Sequence, residues 1–137
     1  NIFSMKYLLF SLFLVPLTTT AQTKSDYEQA MAKFQRFYNA GQGDSINTMF
    51  KYDASFLWTN GKADSYVKKF GTLKSYKFIG IDRTDPNKVW VFKTVFSKAG
   101  TKTTSLTLNK NNQLENFRFM TESEGITELL RKDKSKK

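Results

Sequence analysis

The 137-residue chain contains no cysteine and no histidine. Without cysteine there is no disulfide, no thiolate metal site, no cysteine nucleophile and no residue to carry an N-terminal lipid. Without histidine, most zinc chemistry, a Ser-His triad and the usual base titrating near neutrality are excluded. Acidic residues are scarce, 12 against 22 basic ones, leaving a formal net charge of +10. What is present is a hydrophobic fraction of 39% with 15% aromatic residues. That supports a packed core and argues against a disordered polymer. The length fits one domain.

The N-terminus has the three parts of an export signal. Met5-Lys6 is followed by an apolar run over residues 7–17, then by small residues with Thr19 and Ala21 at the −3 and −1 positions. The run is too short to cross a bilayer of about 30 Å at about 1.5 Å per residue. Residues 5–21 are therefore expected to be a cleaved signal peptide, and residues 1–4 to lie outside the native chain. Cleavage after Ala21 leaves a mature chain of residues 22–137, secreted or periplasmic, with no transmembrane span. Residues 22–130 are expected to form a single α+β domain and residues 131–137 a basic flexible tail.

Period separates the mature chain into two halves. Ser25 and Glu28 read as a capping box. Tyr27, Met31, Phe34, Phe37 and Tyr38 form one apolar stripe at helical spacing, stopped at Gly41. A short second helix is expected from Asp44, carrying Ile46, Met49 and Phe50 inward. A third is expected over residues 63–70, with Tyr66, Val67 and Phe70 facing in and Gly71 ending it. Phe56, Leu57 and Trp58 read as core anchors ahead of it.

From Leu73 the period becomes two. Strands are predicted over residues 76–81, 88–96, 103–108 and 113–120, with turns at 84–87, at Gly100 and at 110–112. Residues 88–96 are apolar on both faces, with Val89, Val91 and Val95 on one and Trp90, Phe92 and Phe96 on the other, so this strand should lie centrally. In the last strand Phe117 and Phe119 share one face, Leu114 and Met120 the other. The expected fold is α+β: N-terminal helices packed on a four-stranded antiparallel meander sheet.

Three stretches resemble a known family. Residues 37–46 (FYNAGQGDSI) with Phe50, the Gly71-Thr72-Leu73-Lys74-Ser75 lead-in to the first strand, and residues 109–114 (NKNNQL) with Phe117 and Phe119 are similar to landmarks of small exported bacterial domains of unknown function. The resemblance covers roughly residues 25–120 and implies the cystatin-like, nuclear transport factor 2-like fold, a curved antiparallel sheet around a long helix. It carries over no functional residues.

Chemistry-bearing motifs are absent or partial. Gly41-Gln42-Gly43 follows a helix instead of a strand and lacks the third small residue of a dinucleotide loop. Asp82, Asp85 and Asn87 surround Pro86 and lack calcium-loop spacing. No cofactor motif occurs. Small enzymes of the implied fold place an Asp base and Tyr or Asp donors between helix and sheet. Tyr66, Tyr76, Asp82 and Arg118 would supply that set in an isomerase- or dehydratase-like alternative.

The main expectation is instead a non-enzymatic binding or interaction module. Helices can cover only one face of a sheet whose central strand is apolar on both. The expected ligand- or partner-binding residues are Tyr76, Phe78, Trp90, Val91, Phe92 and Arg118, meeting an unknown protein, a small apolar ligand or a second copy in a homodimer. The competing expectation is self-cover by a C-terminal segment carrying Ile126, Leu129 and Leu130. Nucleic acid is not an expected partner. Lysines outnumber arginines 18 to 4, and aromatic residues follow strand and helix periods instead of interleaving with basic ones.

Overall fold

The computed structural model describes residues 21–122. The expected signal peptide up to residue 20, the basic tail and the C-terminal apolar residues 126, 129 and 130 lie outside the described residues. The order of elements is α1 (Lys24–Asn39), α2 (Gly43–Asn47), α3 (Asn60–Phe70), β1 (Leu73–Asp82), β2 (Val89–Phe96), β3 (Gly100–Leu108) and β4 (Leu114–Thr121). Consecutive strands pair antiparallel in the order β1-β2-β3-β4, so the predicted α+β meander is present and β2 is an interior strand. No helix among the described residues is long and apolar enough to cross a membrane.

Helix α1 starts two residues earlier than its sequence suggests. The capping box is Thr23 with Asp26: the Asp26 amide donates to Thr23 Oγ1 at 3.3 Å and the Thr23 amide to Asp26 Oδ2 at 2.8 Å. Thr23 has the extended backbone that a cap requires, whereas Ser25 and Glu28 already lie inside the helix. The stripe of α1 is buried as expected at Tyr27, Met31, Phe34 and Tyr38, joined by Ala30, while Phe37 is half-buried. At its C-terminal end Asn39 accepts from the Leu73 amide at 2.7 Å and donates to the Leu73 carbonyl at 3.0 Å. One amide side chain thus replaces a neighbouring strand at the start of β1 and ties helix to sheet.

Helices α2 and α3 meet at their N-termini. The Asp44 amide donates to Asn60 Oδ1 at 3.0 Å and the Asn60 amide to Asp44 Oδ1 at 3.2 Å, so each helix supplies an acceptor for an otherwise unpartnered amide of the other. Gly43 allows this approach, because a Cβ there would sit 1.9 Å from the Thr59 carbonyl oxygen. The loop between them corrects one expectation. Trp58 is buried, but Phe56 and Leu57 are 62% and 39% exposed. The Leu57 and Trp58 amides both donate to the Ala54 carbonyl, and the tight turn points only Ala54 and Trp58 inward.

Alternation also fails in β4. The β3–β4 register shifts between Thr107↔Asn116 and Leu108↔Leu114, which leaves Glu115 as an extra residue. Leu114 therefore joins Phe117 in the core instead of facing away from it. Met120 takes a left-handed φ of 61° at a second irregularity and packs on the same core.

The space between helices and sheet is filled by aromatic rings. Phe34 packs on Tyr38, Trp58, Phe117 and Phe119 with centroids 5.0–5.6 Å apart. Tyr27 stacks on Trp90 at 4.3 Å, and its hydroxyl accepts from the Leu108 amide at 3.0 Å. The Tyr38 hydroxyl donates to the Gly71 carbonyl at 2.9 Å.

Burial pushes the Tyr38 phenol up to about 12 from 10.0, and it raises Tyr27 as well. The protonated phenols are the forms the fold favours, so their contribution is complete below pH 10 and is lost as pH rises through the folded values. Denaturation midpoints measured from pH 8 to 12 are expected to fall above pH 10. The slope is about 1.4 kcal/mol per pH unit for each buried tyrosine ionising on unfolding. Tyr38→Phe should flatten that slope at a cost near neutrality of about 1 kcal/mol for its hydrogen bond.

Candidate functional site

The two faces of the sheet differ in what they leave open. On the helix side lie Tyr76, Phe78, Trp90 and Phe92, all packed on one another or on the core. Val91 and Arg118 project from the opposite face. The six expected binding residues are thus divided by the sheet, and four serve as packing.

The four residues of the enzyme alternative are divided too. Tyr66 packs between Trp58, Phe70 and Phe119, and Tyr76 lies against Phe92. Asp82 and Arg118 line the other face. Moreover, Asp82 Oδ1 is engaged by the Thr84 amide at 3.0 Å and the Thr84 hydroxyl at 2.6 Å, holding the β1–β2 turn. A helix-to-sheet pocket containing all four groups does not form, because aromatic rings occupy that space.

The outer face carries an open groove of about 660 Å³. Cross-strand register orders it into rows. Gly80, Val91, Ser105 and Arg118 are successive partners across the four strands. The next row is Lys77, Lys93, Thr103 and Thr121. Toward the β1–β2 turn, Asp82 pairs with Val89 and Thr107 with Asn116.

The floor is recessed. Val91 and Thr103 are 4% and 6% exposed, while Arg118 and Thr121 stand exposed beside them. Tyr52, half-exposed, forms part of the rim. Gly80 adds no side chain to its row, which leaves room beside Val91.

Val89 and Val91 supply the aliphatic part of the lining, and most of the remaining side chains around them are polar. The acidic groups of the groove are largely committed: Asp85 Oδ1 accepts from the Asn87 amide at 2.8 Å, and Glu122 pairs with Lys102 at 3.0 Å. Among the described residues no carboxylate lies within ion-pair distance of Arg118. Thr107 is buried on this face and its hydroxyl has no hydrogen-bond partner among the described residues.

Sequence reasoning missed Tyr52, Val89, Thr103, Ser105 and Asn116. A signal for β3 was present, since Thr101, Thr103, Ser105 and Thr107 alternate as hydroxyl residues.

Comparison of the chain with family models, curated proteins and solved structures found no match.

Proposed function

We propose that this protein is an exported, non-enzymatic binding module of the cystatin-like, nuclear transport factor 2-like plan, using the outer face of its sheet. The observation that carries the reading is the asymmetry of the two faces. The helix side is filled with aromatic rings, whereas the outer side keeps a recessed valine floor with hydrogen-bonding groups around it. A recess walled by hydrogen-bonding side chains on a sheet face that no described helix covers is most simply explained by an occupant. The long buried helix α1 against an antiparallel meander agrees with the implied fold. Export rests on the N-terminal sequence pattern, and its check is Gln22 as the first residue of the exported chain by N-terminal sequencing.

Amide NMR of the folded chain against a library of small, mostly uncharged fragments tests the groove. Saturable perturbations are expected at Val91, Ser105 and Arg118, and Ser105→Trp should remove them by filling the recess. Perturbations confined to other faces would defeat this assignment. Concentration-dependent dimerisation in light scattering, abolished by the same Trp, would give the groove to a second copy of the chain.

A further inference from the structure

Val91, Thr103 and Thr107 are 4%, 6% and 5% exposed, although the described helices pack on the opposite face of the sheet. Apart from Tyr52 and the β1–β2 turn, the groove is lined by strand residues and Glu122. Glu122 is also the last described residue, so the chain leaves β4 at the groove itself. The residues that follow have the composition to fill it. Ile126, Leu129 and Leu130 fall at i, i+3 and i+4, the spacing of one apolar helix face. Gly125 precedes them, a residue suited to reversing the chain, and Arg131 and Lys132 follow.

The far end of the groove carries the opposite charge. Asp82 and Asp85 accept hydrogen bonds within the β1–β2 turn, but neither is within ion-pair distance of a cation among the described residues. Four residues of β2 separate the Thr103 row from the Asp82–Val89 row, about 13 Å at about 3.3 Å per residue. Residues 126–132 as a helix would extend about 10 Å at about 1.5 Å per residue, and two long basic side chains span the remainder.

We propose that residues 123–132 form a strap that turns back from β4 along the groove, setting Ile126, Leu129 and Leu130 on Val89 and Val91 and bringing Arg131 and Lys132 to Asp82 and Asp85. This rests on the assignment of the outer face as a binding surface and makes access to it competitive: a ligand enters by displacing the strap. Removing three aliphatic side chains and the valine floor from water favours closure. Ion pairs at an exposed rim add little and release readily. A tether this short holds the segment at an effective concentration on the order of mM, which favours it over a second copy.

The chain has no cysteine, so Glu128→Cys provides a single nitroxide attachment point on the side of the segment away from its apolar residues. In amide NMR of the full chain, broadening is expected at Val91, Ser105 and Arg118 and least at Met31 and Phe34, across the sheet. Leu129→Asp combined with Leu130→Asp should abolish the broadening at Val91 while the shifts of core residues show the domain still folded. Without the label, the same pair should tighten binding of neutral fragments about tenfold, as for a groove closed in about nine molecules of ten. Arg131→Glu with Lys132→Glu should loosen the strap more at low salt than at high, and Lys136→Glu should not. Broadening that avoids the groove, or survives the two aspartates, would overturn the proposal. So would broadening of an unlabelled chain by a labelled one, which gives the groove to a second copy. Equal fragment affinity with and without the aspartates leaves the groove as a binding site and removes the strap. If neutral fragments bind neither chain, the binding-surface assignment fails and the competitive role of the strap with it.

Discussion

Phe34→Ala is expected to lower stability by about 3–5 kcal/mol, the loss that follows truncation of a fully buried aromatic ring. Phe34 is fully buried on α1 and touches four rings, two of them on β4 and one, Trp58, in the loop before α3. Its removal leaves a cavity bounded by aromatic side chains from three separate parts of the chain. Such a cavity collapses poorly, because closing it requires helix and sheet to approach each other. For a domain of about 100 residues, a loss of that size corresponds to a fall of about 20 °C in melting temperature. Calorimetry of the variant checks this. A shift of only a few degrees would show that the helix–sheet layer is loosely packed, against the ring geometry described above.

Gly43→Ala is expected to destabilise by about 3 kcal/mol or more, opposite in sign to the usual effect of replacing glycine in a helix. The added Cβ would sit 1.9 Å from the Thr59 carbonyl oxygen and 2.3 Å from its carbon. These are backbone atoms, so no side-chain rotation relieves the overlap. The α2 and α3 termini must separate, which breaks the reciprocal Asp44 and Asn60 hydrogen bonds. Gly61 provides the control. It also lies in the first turn of a helix, but a Cβ there meets nothing within 4 Å. Gly61→Ala should therefore stabilise by about 0.5–1 kcal/mol through helix propensity and a less flexible unfolded chain. Urea denaturation of the two variants side by side separates close approach from propensity. Equal effects of the two substitutions would contradict the Gly43–Thr59 contact.

Much of the fold was legible because local patterns report burial. The stripe on α1 marked the side chains that enter the core, the alternation in β2 separated its two faces without saying which one the helices cover, and the turn residues separated four strands. The failures share a cause. Phe56 and Leu57 are as apolar as Trp58, but a turn closed on the Ala54 carbonyl decides which of them faces inward. Leu114 is on the core side because one extra residue shifts the ladder, and a one-residue slip reverses every side chain. Strict alternation cannot see a bulge.

The candidate site was less legible than the fold. Val91 and Arg118 were recognised, but they were grouped with four aromatic residues that belong to the opposite face. The enzyme-like set failed for the same reason, since Tyr66 and Tyr76 are separated by the sheet from Asp82 and Arg118. Residue type alone said that the sheet had two apolar faces. Only the direction from which helices pack distinguishes a core face from an open one.

By itself, the sequence determined the absence of thiol and imidazole chemistry, the helix-then-strand order and the centrality of β2, since composition and periodicity are local properties. The tertiary structure alone decided that aromatic rings fill one face and that Val91, Ser105 and Arg118 stand in one row on the other. Those facts depend on register, bulges and the docking of helices, which bring together residues whose sequence separation carries no sign of their meeting.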